Sequence, residues 1–115
     1  MSLTVQRGSF FTADFERQFA WYLDKAGAEL AWQFQAALDS FLRRISNQPD
    51  LGRRRHFRHP TLQQLRSYQV ERPFNKVLIF YRVEADTLRV LRLMHGARDL
   101  PRRLAQPPEN RPTIA

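Results

Sequence analysis

The chain contains no cysteine, which excludes disulfide staples, thiol nucleophiles, zinc–thiolate sites and iron–sulfur clusters. It has four glycines, none arranged as a phosphate-cradling loop. No apolar run approaches the roughly 18 to 20 residues of a membrane span, and the opening residues Met1 to Arg7 carry no apolar signal core. Acidic residues are scarce: 11 Asp+Glu stand against 19 Lys+Arg, for a formal charge of +8. What remains is a chain of 115 residues, 43% hydrophobic, with nine phenylalanines. That length suits one core burying roughly 65% of the unfolded surface. The expectation is a small, soluble, cytoplasmic domain with no membrane association. Its basic balance points to nucleic acid, an acidic protein or anionic lipid, or only to solubility, and composition does not choose.

The hydrophobic pattern predicts an α+β order. Leu3 to Gln6 reads as a short strand, broken by Gly8 and Ser9. Thr12 is placed to cap a helix, with Asp14 and Glu16 in its first turn, where the helix dipole favours negative charge. Phe15, Phe19, Tyr22, Leu23 and Ala26 then recur at helical spacing up to Gly27. A second stripe follows at Leu30, Phe34, Ala37, Leu38, Phe41, Leu42 and Ile45, stopped by Asn47, Pro49, Asp50 and Gly52. Two helices joined at one glycine form an αα-hairpin whose stripes need a sheet to cover them. After a basic connector over about 48–61, strands are expected at Gln64–Glu71, Val77–Val83 and Thr87–Met94, the last two hairpinned through Glu84-Ala85-Asp86. Asp99 can cap a short helix to about Leu104. The predicted class is therefore an N-terminal strand, an αα-hairpin, a three-stranded antiparallel meander and a short C-terminal helix, one domain over 1–104. Residues 105–115 are rich in proline and are expected to form a flexible tail.

Few residues suggest chemistry. His56 and His59 are three apart, but the three arginines Arg53 to Arg55 precede them and no carboxylate is near, so the segment reads as a solvated basic loop and not a metal pair. Ser40 and Ser67 lack the supporting residues of a nucleophile. The acids Asp14, Glu16, Asp24, Glu29 and Asp39 fall mostly on solvated helix faces. His95, Arg98 and Asp99 follow directly on a buried strand, a position that holds side chains rigidly near solvent; Asp99 as a cap is the simpler role. No metal, cofactor or small-molecule ligand is implied.

The pieces Ala13-Asp14-Phe15…Tyr22, Pro49…Gly52, Leu65-Arg66-Ser67-Tyr68, Pro73-Phe74 and Leu78 to Val83, closing in Leu93-Met94-His95-Gly96-Ala97-Arg98-Asp99-Leu100, occur in the order of the elements. In this the chain resembles the RelE/ParE superfamily of type II toxin–antitoxin toxins, and within it the ParE branch, over roughly residues 3–104. The resemblance implies a plasmid-stabilising toxin neutralised by a cognate antitoxin in a hetero-oligomer, the antitoxin's acidic segment lying in an apolar groove between helices and sheet. It leaves two targets in competition. ParE-like toxins act on DNA gyrase without being enzymes themselves; RelE-like toxins cleave mRNA on the ribosome, work that needs clustered cations and a proton shuttle. The superfamily's central-strand arginine is replaced here by Leu78, and no tyrosine follows Tyr81, which favours gyrase. On that reading Arg66, Arg98, Arg102 and Arg103 face the target; on the ribonuclease reading His95 and Arg66 are catalytic. A basic nucleic-acid-binding module is the third possibility.

Overall fold

A computed structural model of the chain describes residues 2–96 and 100–108. The elements run β1 (Thr4–Arg7), α1 (Ser9–Ala26), α2 (Ala28–Asn47), β2 (Arg53–Arg54), β3 (Arg66–Gln69), β4 (Val77–Glu84), β5 (Thr87–His95) and α3 (Leu100–Ala105), with 3-10 turns at Pro49–Leu51 and Pro60–Leu62. The sheet has the order β1-β5-β4-β3-β2, antiparallel except for β1 beside β5. The α+β architecture is the expected one, with one strand more: Arg53 and Arg54, read from sequence as connector, pair with Ser67 and Arg66 as the two-residue edge strand β2. A two-residue strand of exposed arginines has no apolar alternation for a sequence reading to detect.

The helices cover one face of the sheet. Phe11, Tyr22, Phe34, Leu38, Phe41 and Ile45 pack on Val70, Val77, Ile79, Tyr81, Leu88, Val90 and Leu93. Aromatic rings fill much of this layer, with Phe34 against Phe15, Tyr22 and Phe74 at centroid separations of 4.9–5.6 Å. The turn between the helices is Gly27 at φ 98°, a conformation open to glycine and strained for other residues. On the opposite face a smaller cluster, Leu62, Leu65, Leu78, Phe80 and Met94, is capped by Leu100 and Leu104 of α3.

Two local features differ from expectation. Helix α1 begins at Ser9 and not after Thr12; Gly8 precedes it in extended conformation without a side-chain cap, and Thr12 N–H donates to the Gly8 carbonyl inside the first turn. The reason is Phe11, fully buried, which extends the apolar stripe one turn upstream of Phe15. Asp14 and Glu16 therefore lie beyond the first turn. In β5 the register slips by one between Phe80 and Tyr81, because Phe80 pairs with Arg92 and Tyr81 with Val90. Leu91 is the extra residue of a β-bulge, which moves the inward-facing set from the even positions Leu88 and Val90 to the odd position Leu93.

The connector leaving α2 is tied to the sheet by Tyr81. Its buried phenol accepts from Gly52 N–H at 2.8 Å and donates to the Pro49 carbonyl at 2.8 Å. A Cβ at residue 52 would stand 2.2 Å from that oxygen, so the approach requires glycine. Burial raises the Tyr81 phenol above its ordinary pKa. Tyr81→Phe strands one buried donor and one acceptor and is expected to lower stability by about 1–3 kcal/mol. Gly52→Ala is expected to cost about 1–3 kcal/mol through overpacking. Urea denaturation measures both.

Candidate functional site

The parallel pairing of β1 with β5 stops at Arg7 and Val90, where Gly8 turns the chain into α1. Beyond that point the outer edge of β5 would present bare backbone groups, which are costly to bury unpaired. Asp14 closes the edge: its Oδ2 accepts from Leu93 N–H at 3.0 Å. The same carboxylate holds Arg92 through two bonds, Nε to Oδ2 at 2.8 Å and Nη2 to Oδ1 at 3.1 Å. Both partners are buried, Asp14 at 1% exposure and Arg92 at 5%. This corrects the expectation that Asp14 lies on a solvated helix face. Its spacing carried the signal, since it falls with Phe11, Gln18 and Tyr22 on the buried stripe of α1; its partner, 78 residues away in sequence, could not be read from the pattern.

Arg92 reaches further. Its Nη1 donates to the carbonyls of Arg103, Leu104 and Gln106 at 3.2, 3.1 and 2.6 Å. The first two belong to the last turn of α3 and the third to the residue that follows it, at the negative end of the helix dipole. The ring of Phe10 lies 5.4 Å from the guanidinium. One arginine thus fastens α1, β5 and α3 to one another.

The remaining candidate residues separate into two groups. Arg66 is half-buried at one end of β3, donating to the Gly52 carbonyl at 2.8 Å and pairing with Asp50 at 3.4 Å. It lies opposite Tyr81, on the face covered by the helices. His95 lies opposite Val77 at the far end of β4. Four residues along the strand and two strands across put them roughly 13 Å and roughly 10 Å apart in the two directions. The structure does not bring them together. His95 is half-buried, and burial, then the charges of Lys76 and Arg103, lower its pKa. Arg103 donates to the His95 carbonyl at 3.0 Å, and Arg102 is exposed on α3. Arg98 and Asp99 lie outside the described residues, as do 109–115 of the proline-rich tail. His56 and His59 are exposed; the His59 ring accepts from Thr61 N–H at the second 3-10 turn. Among the described residues no group of three His, Cys, Asp or Glu side chains is placed to hold a metal ion, and no helix is long and apolar enough to cross a membrane.

An open groove of about 960 Å³ runs round the outer edge of β3. Sequence reasoning missed it because its walls come from α2, β2, β3 and the β3–β4 loop, none of which looks site-like alone. The expected apolar groove between helices and sheet is filled by the aromatic layer described above.

Residues 10–100 match the family model described as "ParE toxin of type II toxin-antitoxin system, parDE". Among solved structures, the chain is similar to one titled "Chromosomal ParDE TA system from P. aeruginosa", at TM-score 0.67 and 17% identity, covering 84% of this chain and 98% of that one. That likeness is one of fold. No curated protein matches in sequence.

Asp14→Asn keeps an acceptor for Leu93 N–H but leaves the Arg92 charge buried without its counterion, and is expected to cost about 3–5 kcal/mol in denaturant unfolding. The exposed pair Arg7–Asp39, at 3.2 Å, supplies the contrast: Arg7→Ala is expected to cost less than about 1 kcal/mol. His95 binds its proton less readily folded than unfolded. Stability is therefore expected to fall as pH drops through the unfolded value, near 6.5, and toward the lower folded one. His95→Gln removes that component from the pH profile of unfolding.

Proposed function

The chain belongs to the ParE toxin family of type II toxin–antitoxin systems, and from that premise we propose that it is a binding toxin acting on DNA gyrase in the cytoplasm. It holds the enzyme on cleaved DNA, and a cognate antitoxin neutralises it. Toxins of this family pair with an antitoxin; the gyrase target and the neutralisation are the finer reading.

The observation that supports binding over RNA cleavage is the separation of Arg66 from His95. In-line cleavage of a phosphodiester needs a cation and a proton shuttle at one phosphate. Here the cation is tied to Asp50 and the Gly52 carbonyl at one end of the sheet. The histidine, at the other end, is disfavoured in the protonated form that would donate to a leaving group. The target-facing residues of this reading are Arg102 and Arg103 on α3, with Arg98 just before the helix in sequence. Arg66, on the opposite face of the sheet, has a structural tie and no share in that surface.

Purified protein is expected to give gyrase-linked DNA breaks while mRNA in a parallel translation reaction stays intact. Arg102→Glu is expected to reduce the breaks about tenfold. Cut mRNA beside normal gyrase, lost in His95→Ala, would establish the ribonuclease instead.

A further inference from the structure

Charge is divided unevenly along the chain. From the start of α1 to Ser40, residues 9–40 carry five acids and two cations, a net −3. The rest of the chain carries six acids and seventeen cations, a net +11. Asp14 is internal, bonded to Arg92, but Glu16, Asp24 and Glu29 are exposed on the helical hairpin. Asp24 is paired with the adjacent Lys25, at 3.4 Å. Among the described residues neither Glu16 nor Glu29 has an ion-pair partner. A strongly basic protein thus carries an acidic pole.

The same surface exposes apolar groups that the core does not use. Trp32 is 59% exposed and Leu23 45%, although spacing alone puts Leu23 on the stripe of α1. The half-buried Phe19 joins them. Leu23 follows it one turn along α1, and its ring meets Trp32 of α2 edge-on at a centroid separation of 5.2 Å. Glu16 precedes Phe19 by three residues and Glu29 precedes Trp32 by three, so a carboxylate neighbours the patch on each helix. An apolar patch rimmed by charge of one sign is the form of an interaction surface.

We propose that this face is the docking site for a cationic amphipathic helix of another protein, laid across α1 and α2. Its apolar stripe covers Leu23, Phe19 and Trp32, the tryptophan acting as the main anchor. Its lysines or arginines reach Glu16, Asp24 and Glu29, and one of them can stack on the exposed indole. The carboxylates disfavour nucleic acid and anionic lipid. A second copy related by a twofold axis would set the same carboxylates against one another. A helical surface offers no free backbone groups for an added strand, which leaves a helix as the fitting form. The arginines of α3 lie across the sheet from the hairpin, and the docking does not depend on the gyrase reading.

The test titrates the full chain with a fourteen-residue amphipathic peptide of leucine and lysine, followed by amide chemical shifts. Shifts centred on Glu16 to Leu23 and on Glu29 to Trp32 are expected, against the repulsion of the +8 chain as a whole. Affinity is expected to fall at least tenfold in Trp32→Ala and in Glu16→Lys/Glu29→Lys, and to weaken steeply with salt. The same peptide with glutamate in place of lysine is expected not to shift these residues. Equal binding of the glutamate peptide, unchanged affinity in either variant, or shifts confined to other parts of the chain overturns the proposal. So does a ten-nucleotide single strand that shifts these residues more strongly than the peptide. A dimer in sedimentation that becomes monomeric in Trp32→Ala assigns the face to a second copy, and overturns the proposal as well.

Discussion

The buried contact between Asp14 and Arg92 is the constraint on which the rest of the architecture depends. Three elements meet there that no continuous hydrophobic surface joins: the start of α1, the unpaired outer edge of β5, and the C-terminal end of α3. A hydrophobic pair could fill the same space but could not satisfy the Leu93 amide and the three carbonyls at and just past the end of α3. The charge pair does so because a carboxylate accepts from several donors and a guanidinium donates along several directions. Buried ion pairs are weak stabilisers overall, since desolvation offsets most of the attraction. What this one contributes is position: it holds a six-residue helix, too short to persist alone, against the far face of the sheet.

The arginines consequently fall into two populations. Arg92 is internal, Arg66 is bound to the connector, and Arg82 and Arg89 share the carboxylate of Glu84. Those around the β3 edge are not neutralised within the described part of the chain. A charge of +8 is therefore a poor summary of the binding surface, because part of it is scaffold. The groove at the β3 edge is lined by Arg44, Arg53, Arg55, Arg72 and Lys76 and by one carboxylate, Glu71.

Much of the fold was legible in the sequence. Helical periodicity in Phe34 to Ile45 and the apolar run from Val77 to Tyr81 match the burial found, because both follow from local geometry, while Val83 at the end of that run is exposed. The class and the family resemblance are the ones the structure and the family match bear out. What was not legible arose from distant partners. Asp14 looked solvated because acids usually are, although it shared a stripe with Phe11 and Tyr22. The two arginines of β2 looked like linker because a strand of two residues has no period. The separation of Arg66 from His95 is set by the β3–β4–β5 register, which no motif spelled out.

The most direct measurement of the central claim is native-state hydrogen exchange in Asp14→Asn. If the pair couples the three elements, the Leu93 amide and the amides of α3 will exchange faster together and by a similar factor, while the β3–β4 ladder keeps its relative protection. Unchanged protection in α3 beside a deprotected Leu93 would contradict the account, and would mean that Leu100 and Leu104 hold the helix without Arg92.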